Sequence, residues 1–140
     1  MLDHQGRFWH DGEPVEHRGL ARAFACWMTR HPDDGRFVLD NGYDWCYLTV
    51  EDTPYFVRSV HVGSDPVEIE LFDGTREPLD PRTLSVGADE VLRTRVKAGA
   101  FEARFTRSAQ LQIAPLLDSD PPLALRLGGQ RFVIGSHAPR

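Results

Sequence analysis

Apolar residues along the chain follow two different periods, and each stretch can be assigned an element from the period it shows. Between His17 and Arg30, Leu20, Phe24, Trp27 and Met28 recur at i, i+4, i+7 and i+8. That spacing lays four large side chains along one face of an α-helix. Arg18, Arg22, Thr29 and Arg30 fall on or beside the other face. Burying the four apolar groups would contribute about 1.5–3 kcal/mol each, so this helix is expected to organise the core with strands wrapped around it.

Elsewhere the period is two. Arg7–Trp9 and Pro14–Val15 flank Asp11-Gly12, a dipeptide suited to a tight hairpin turn. His31-Pro32-Asp33-Asp34-Gly35 ends the helix, since Pro cannot continue the ladder and the following residues favour turns. Strands are then predicted over 36–40, 45–50, 55–62 and 67–72, separated by Asn41-Gly42, by Glu51-Asp52-Thr53-Pro54 and by Gly63-Ser64-Asp65-Pro66. In the second of these, Cys46, Leu48 and Val50 should face the core, and Trp45 and Tyr47 the other side. The result is an antiparallel meander with one buried face.

Residues 73–89, with Gly74, Pro78, Pro81 and Gly87, read as a connector holding at most a turn of helix near Pro81. A second hairpin follows over 91–105. A short helix capped by Thr106 or Ser108 and shortened by Pro115 comes next, then a hairpin turning at Gly128-Gly129 and a frayed tail over 136–140. Ala109, Ile113, Leu116 and Leu117 repeat the spacing of Leu20, Phe24, Trp27 and Met28. The expected fold class is therefore α+β: antiparallel sheets around two helices, in tandem hairpin–helix–hairpin repeats over residues 1–73 and 90–140. Residues 74–89 join the two, and they share one core.

Composition narrows the function classes. With 140 residues and 41% apolar content the chain suits one ordinary domain. A net charge of −5, with a single lysine among 16 basic residues, argues against a surface that grips long nucleic acid. A small anion held by a few arginine forks remains compatible. No apolar run is long enough to span a membrane, and the N-terminal residues lack the pattern of a signal peptide. Cys26 and Cys46 make no disulfide framework and are expected to be buried thiols in the cytoplasm.

Three groups of residues could carry chemistry. Arg93, Arg95 and Lys97 alternate with Leu92, Thr94 and Val96, projecting cations from one strand face, with Arg104 and Arg107 close by in sequence. Such a face near a helix start suits phosphate or carboxylate. Its structural counterpart is ion pairing with Glu68 and Glu70 across neighbouring strands. Tyr43, Trp45 and Tyr47 form an aromatic ledge that could stack a base or be covered by a partner. His10 with Asp11, Glu51 and Asp52 could serve as acid and base if the two turns converged; otherwise these are turn residues. The six histidines have no metal-ligand spacing, and no phosphate-binding glycine loop or nucleophile elbow is present, so neither metal nor cofactor is expected.

Gly6-Arg7-Phe8-Trp9-His10-Asp11-Gly12-Glu13-Pro14-Val15 with Phe24, Val50-Glu51-Asp52-Thr53-Pro54-Tyr55-Phe56 and Gly128-Gly129-Gln130-Arg131-Phe132 resemble the bacterial family known as domain of unknown function 1285. The resemblance implies a repeated structural motif, a C-terminal half superficially like a pleckstrin-homology barrel, and a groove between the halves for a nucleotide-like ligand, in signalling. On this basis the chain is expected to be a non-enzymatic binding module for a small anionic, nucleotide-like ligand. Arg95, Lys97, Arg104 and Arg107 would meet the anion, and Trp9, His10, Trp45 and Asp52 would line the rest. The alternatives are a protein–protein adaptor or homodimerising module, and a hydrolase using His10 with Asp52.

Overall fold

The computed structural model describes residues 1–136, so the tail expected over 136–140 lies, beyond Ser136, outside the described residues. The chain opens with a two-stranded ribbon, β1 (Trp9–His10) and β2 (Glu13–Pro14). Asp11 and Gly12, at φ 49° and 79°, supply the two left-handed residues that a type I′ turn needs. Helix α1 spans Arg18–Cys26 and is capped by His17, whose side chain accepts the Leu20 N–H at 3.1 Å.

The helix expected to reach Arg30 stops at Cys26. Trp27 closes it, and the Trp27 carbonyl accepts the Asp40 N–H at 3.0 Å. The chain thus passes directly into strand β3 (Met28–Arg30), paired antiparallel with β4 (Phe37–Asp40). Helical spacing and strand pairing compete over Trp27–Arg30. The return loop at His31–Gly35 brings β4 alongside, and its ladder takes up the amides that a longer helix would have used.

The predicted apolar face is split as a consequence. Leu20 is 43% exposed, Phe24 and Trp27 are half-buried, Met28 is buried from the strand, and Ala25 is the helix's buried residue. Strand β5 (Trp45–Tyr47) completes a three-stranded sheet in the order β3-β4-β5 and is exposed along its length.

The main sheet is built from β6 (Tyr55–His61), β7 (Glu68–Leu71), β8 (Arg76–Pro78), β9 (Ser85–Val86), β10 (Leu92–Val96) and β11 (Phe101–Phe105). Helix α2 (Arg107–Ile113) follows, N-capped by Thr106, and tightens into a 3-10 turn at Ala114–Leu116, where Pro115 sits. A second three-stranded sheet holds β12 (Leu117–Asp118), β13 (Ala124–Leu127) and β14 (Gln130–Val133). Strand β15 (Gly135–Ser136) then returns to the main sheet, whose seven strands run β15-β9-β10-β11-β6-β7-β8. The fold is α+β with mostly antiparallel pairing; β6–β11 and β9–β15 are the parallel contacts.

Residues 74–89 do more than connect. They contribute β8 and β9, together with the expected helical turn at Pro81–Thr83. Pro78 is tolerated because β8 lies at the sheet edge. The main sheet therefore takes strands from both sides of that stretch. Hairpin, helix and three-stranded meander occur twice in the same order, but β10–β11 lie inside the main sheet while β1–β2 stand alone. Helix α2 packs on β6, with Ala109 and Ile113 fully buried, and Val57, Ile69, Leu71, Val96 and Leu125 close the core.

Candidate functional site

The most one-signed depression in the described surface lies where α1 meets β6. Gly6, Phe8, Arg18, Ala21, Arg22, Arg58 and Phe72 line about 450 Å³ of space, and no Asp or Glu is among them. Arg18 and Arg22 are one helical turn apart, so both project from the same side of α1. Among the described residues neither has a carboxylate partner. Gly74, at φ 87°, leaves room for the Arg22 guanidinium, because a Cβ there would collide with it. Arg58 Nη2 donates to the Phe72 carbonyl at 3.2 Å, which anchors the third guanidinium of the lining. Gly6 at φ 83° turns the chain tightly over the Phe56 ring and is part of the same lining. Three guanidinium groups in one lining, with Phe8 and Phe72 largely buried behind them, can fork onto a phosphate or carboxylate.

On the other side of Phe8 lies a groove of about 340 Å³. Its apolar lining includes Phe8, Phe24, Leu39 and Leu48, and Trp9, Trp27 and Trp45, all the tryptophans of the chain. Asp3, 5% exposed, fixes Trp9: its Oδ2 accepts the Trp9 indole N–H at 2.8 Å and its Oδ1 accepts the Gln5 and Arg7 amides. Burial alone would raise the Asp3 pKa, but the indole and amide donors outweigh it and hold the carboxyl below its ordinary range. Trp45 packs edge-on against Tyr47 (5.2 Å) and His31 (4.9 Å), and Tyr47 donates its hydroxyl to Asp34 at 2.6 Å.

A third cleft, about 400 Å³, is lined by Arg30, Glu51, Asp52, Asp89, Arg93 and Glu102, with apolar Phe37 and Pro54. Its centre is Arg93, which is 5% exposed and bonded to Asp52 (2.9 Å) and Asp89 (3.0 Å) with Glu102 at 3.5 Å. Arg93 and Arg104 face each other directly across β10 and β11, an arrangement repulsive by itself. Asp52 Oδ2 relieves it by accepting from both, at 2.9 and 2.6 Å. The Arg93 hydrogen bond, its largest cause, pulls the Asp89 pKa down to about 2.

The eight expected ligand residues are thus distributed over separate places. Trp9, His10 and Trp45 do converge, in the tryptophan groove. Asp52 and Arg104 pair with each other around Arg93. Arg95 donates to the Gly99 carbonyl within its own hairpin turn. Lys97 is not on the strand face at all: at φ 56° it sits in the turn, with Nζ 3.0 Å from Asp73. Arg107, exposed, begins α2.

Other expectations also change at this level of detail. The cations expected on that face are held, but not by Glu68 and Glu70, because β9 and β11 are the neighbours of β10: Arg93 pairs with Asp52, Asp89 and Glu102, Lys97 with Asp73, and Arg95 bonds the Gly99 carbonyl. His10 pairs with Asp11 at 3.3 Å, and no hydrogen bond joins it to Asp52, so the acid–base pair is not assembled. Cys26 and Cys46 are exposed rather than buried. Cys26 ends α1 with its Sγ against the Asp73 carbonyl, and Cys46 lies on the edge strand β5. Arg18, Arg22 and Arg58 carry no local signal beyond polar-face spacing, since only the docking of α1 beside β6 brings them together.

Two solved structures share this arrangement. A DUF1285 family protein from Silicibacter pomeroyi DSS-3 superposes with a TM-score of 0.72 at 17% identity, over 96% of this chain and 78% of that one. A second, from Shewanella baltica OS155, gives 0.62 at 15% identity, over 81% of this chain and 88% of that one. The fold is the DUF1285 fold. The resemblance expected from the Gly6–Val15 and Val50–Phe56 motifs is therefore supported by structure. No family model and no curated protein matches the sequence. Among the described residues of this DUF1285-like chain no helix is long and apolar enough to cross a membrane, and no His, Cys, Asp or Glu cluster is placed to hold a metal.

Proposed function

We propose that this chain is a non-enzymatic binding module for a small anionic ligand, nucleotide-like in having a charged group and an apolar ring. The anion is taken by Arg18, Arg22 and Arg58, not by Arg95, Lys97, Arg104 and Arg107. The observation that supports this is the imbalance of charge in the depression: three guanidinium groups in the lining and no carboxylate. Lys97 and Arg104 already have carboxylate partners and Arg95 a carbonyl partner; among the described residues Arg107 has none. An anion binding them would have to displace those partners, whereas Arg18 and Arg22 have, among the described residues, no carboxylate partner to displace. Phe8 and Phe72, 3% and 6% exposed and stacked on one another, close the depression and would meet the apolar part of the ligand only through the little of their surface that is open.

Isothermal titration with inorganic pyrophosphate and with adenosine monophosphate tests this. Saturable binding that Arg22→Ala weakens by about tenfold or more, as expected for loss of a charge-assisted fork, supports it. An Arg22→Ala variant that binds as wild type does, or the absence of binding by either anion, overturns it. The adaptor alternative draws on a different observation, the exposed edge strand β5 with Trp45 and Tyr47 at 48% and 44% exposure. Light scattering on the purified chain tests it: a concentration-dependent dimer supports it, and a monomer at all concentrations speaks against self-association.

A further inference from the structure

We infer that the tryptophan groove is a second binding site, independent of the anion depression, and that its ligand is an organic ammonium: a quaternary or methylated amine. Indole is the strongest of the aromatic side chains in attracting a cation to its face. Trp9, Trp27 and Trp45 come from three separate elements, β1, the end of α1 and β5, and all of them line this one groove. Two are held in place before any ligand arrives. Asp3 bonds the Trp9 indole, and Trp45 is braced by His31 and Tyr47. Trp27 packs against Phe24 with ring centres 5.7 Å apart. Rings held this way lose little freedom on binding.

Charge decides between a cation and other apolar ligands. The lining includes one carboxylate, Asp44, and no Arg or Lys side chain. Asp44 Oδ1 accepts the neighbouring Trp45 backbone N–H at 3.0 Å, which fixes the carboxylate at the start of β5. The N-terminal ammonium of Met1, also in the lining, is turned onto the Trp9 carbonyl at 2.9 Å, and His10 is paired with Asp11. An anion would meet Asp44, and the cation among the described lining residues, the Met1 ammonium, is already bonded to the Trp9 carbonyl. A neutral ring would gain nothing from the carboxylate. An ammonium gains from the rings and from Asp44 together. The two cavities flanking Phe8 thus have opposite electrostatic preferences, one lined by three arginines and the other by indoles and an aspartate.

Because every tryptophan lines this groove, intrinsic fluorescence reports on it directly. Choline chloride is titrated against 3,3-dimethylbutan-1-ol, its uncharged isostere, with sodium chloride as the ionic-strength reference. Choline should change the tryptophan emission saturably, and the uncharged isostere should bind about tenfold more weakly, as the cation–π and carboxylate contributions require. Asp44→Asn keeps the oxygen that accepts the Trp45 amide, so near-ultraviolet dichroism should be unchanged while choline affinity falls about fivefold. The inference is overturned if choline gives no saturable change beyond that of sodium chloride. Equal binding of choline and its isostere, or choline affinity in Asp44→Asn matching wild type, would overturn it as well. Loss of pyrophosphate binding in Arg22→Ala is a separate outcome and leaves this one untouched.

Discussion

Arg93 shows how much a single side chain can settle. It is almost wholly buried, and its guanidinium draws Asp52, Asp89 and Glu102 inward while Asp52 also holds Arg104. Removing one member of a buried ionic group leaves the others desolvated without compensation. Arg93→Met should therefore lower the unfolding free energy by about 3 kcal/mol in urea titrations. Arg93→Lys should recover less than half of that, since one ammonium cannot serve several carboxylates in a fork. The same cluster sets the acid response. The Asp89 pKa in the fold, about 2, lies below the ordinary aspartate value of 3.8. Its contribution to stability is complete above the unfolded value and disappears as pH falls through the folded one. Asp3 and Asp73 are shifted in the same direction. Melting temperature should fall as pH drops from about 4 to about 2, and Asp89→Asn should make that fall shallower.

Between elements, α2 rather than α1 supplies the helical part of the core. Ile113 is fully buried against β6, whereas Leu20 is 43% exposed. Ile113→Ala should cost about 2–5 kcal/mol, the usual price of a buried cavity, while Leu20→Ala should stay within about 0.5 kcal/mol. Equal costs at the two positions would restore α1 as the organising helix. What could be read from sequence at this scale was local. The Asp11-Gly12 and Gly128-Gly129 turns, the Thr106 cap and the break at Pro115 all depend on residues within a few positions of one another. Trp27–Arg30 fits both a helix and a strand by pattern, and only the distant β4 decides between them. The short strands β8 and β9 have too few residues to show a period, so their assignment waits on the partners β7 and β10. The candidate site was legible only in part for the same reason. Trp9 and Trp45 were recognisable as aromatic, but Trp27 appeared to belong to the core and Arg18 and Arg22 to a solvated helix face.

At the scale of the whole molecule, the parallel β6–β11 pair ties the two stretches on either side of residues 74–89 into one sheet. If that join is central, the amides of Val57 and Ala103 should exchange hydrogen most slowly, and those of the β1–β2 ribbon much faster. Fast exchange at Ala103 would mean that the halves separate readily. The same join places β6, with Arg58, beside α1 and so creates the arginine depression. A titration of the isotope-labelled chain with inorganic pyrophosphate, followed by nuclear magnetic resonance, examines that consequence residue by residue. Shifts should concentrate at Gly6, Arg18, Arg22 and Arg58. Shifts centred instead on Arg95, Lys97, Arg104 and Arg107, or none anywhere, would contradict an anion site between α1 and β6.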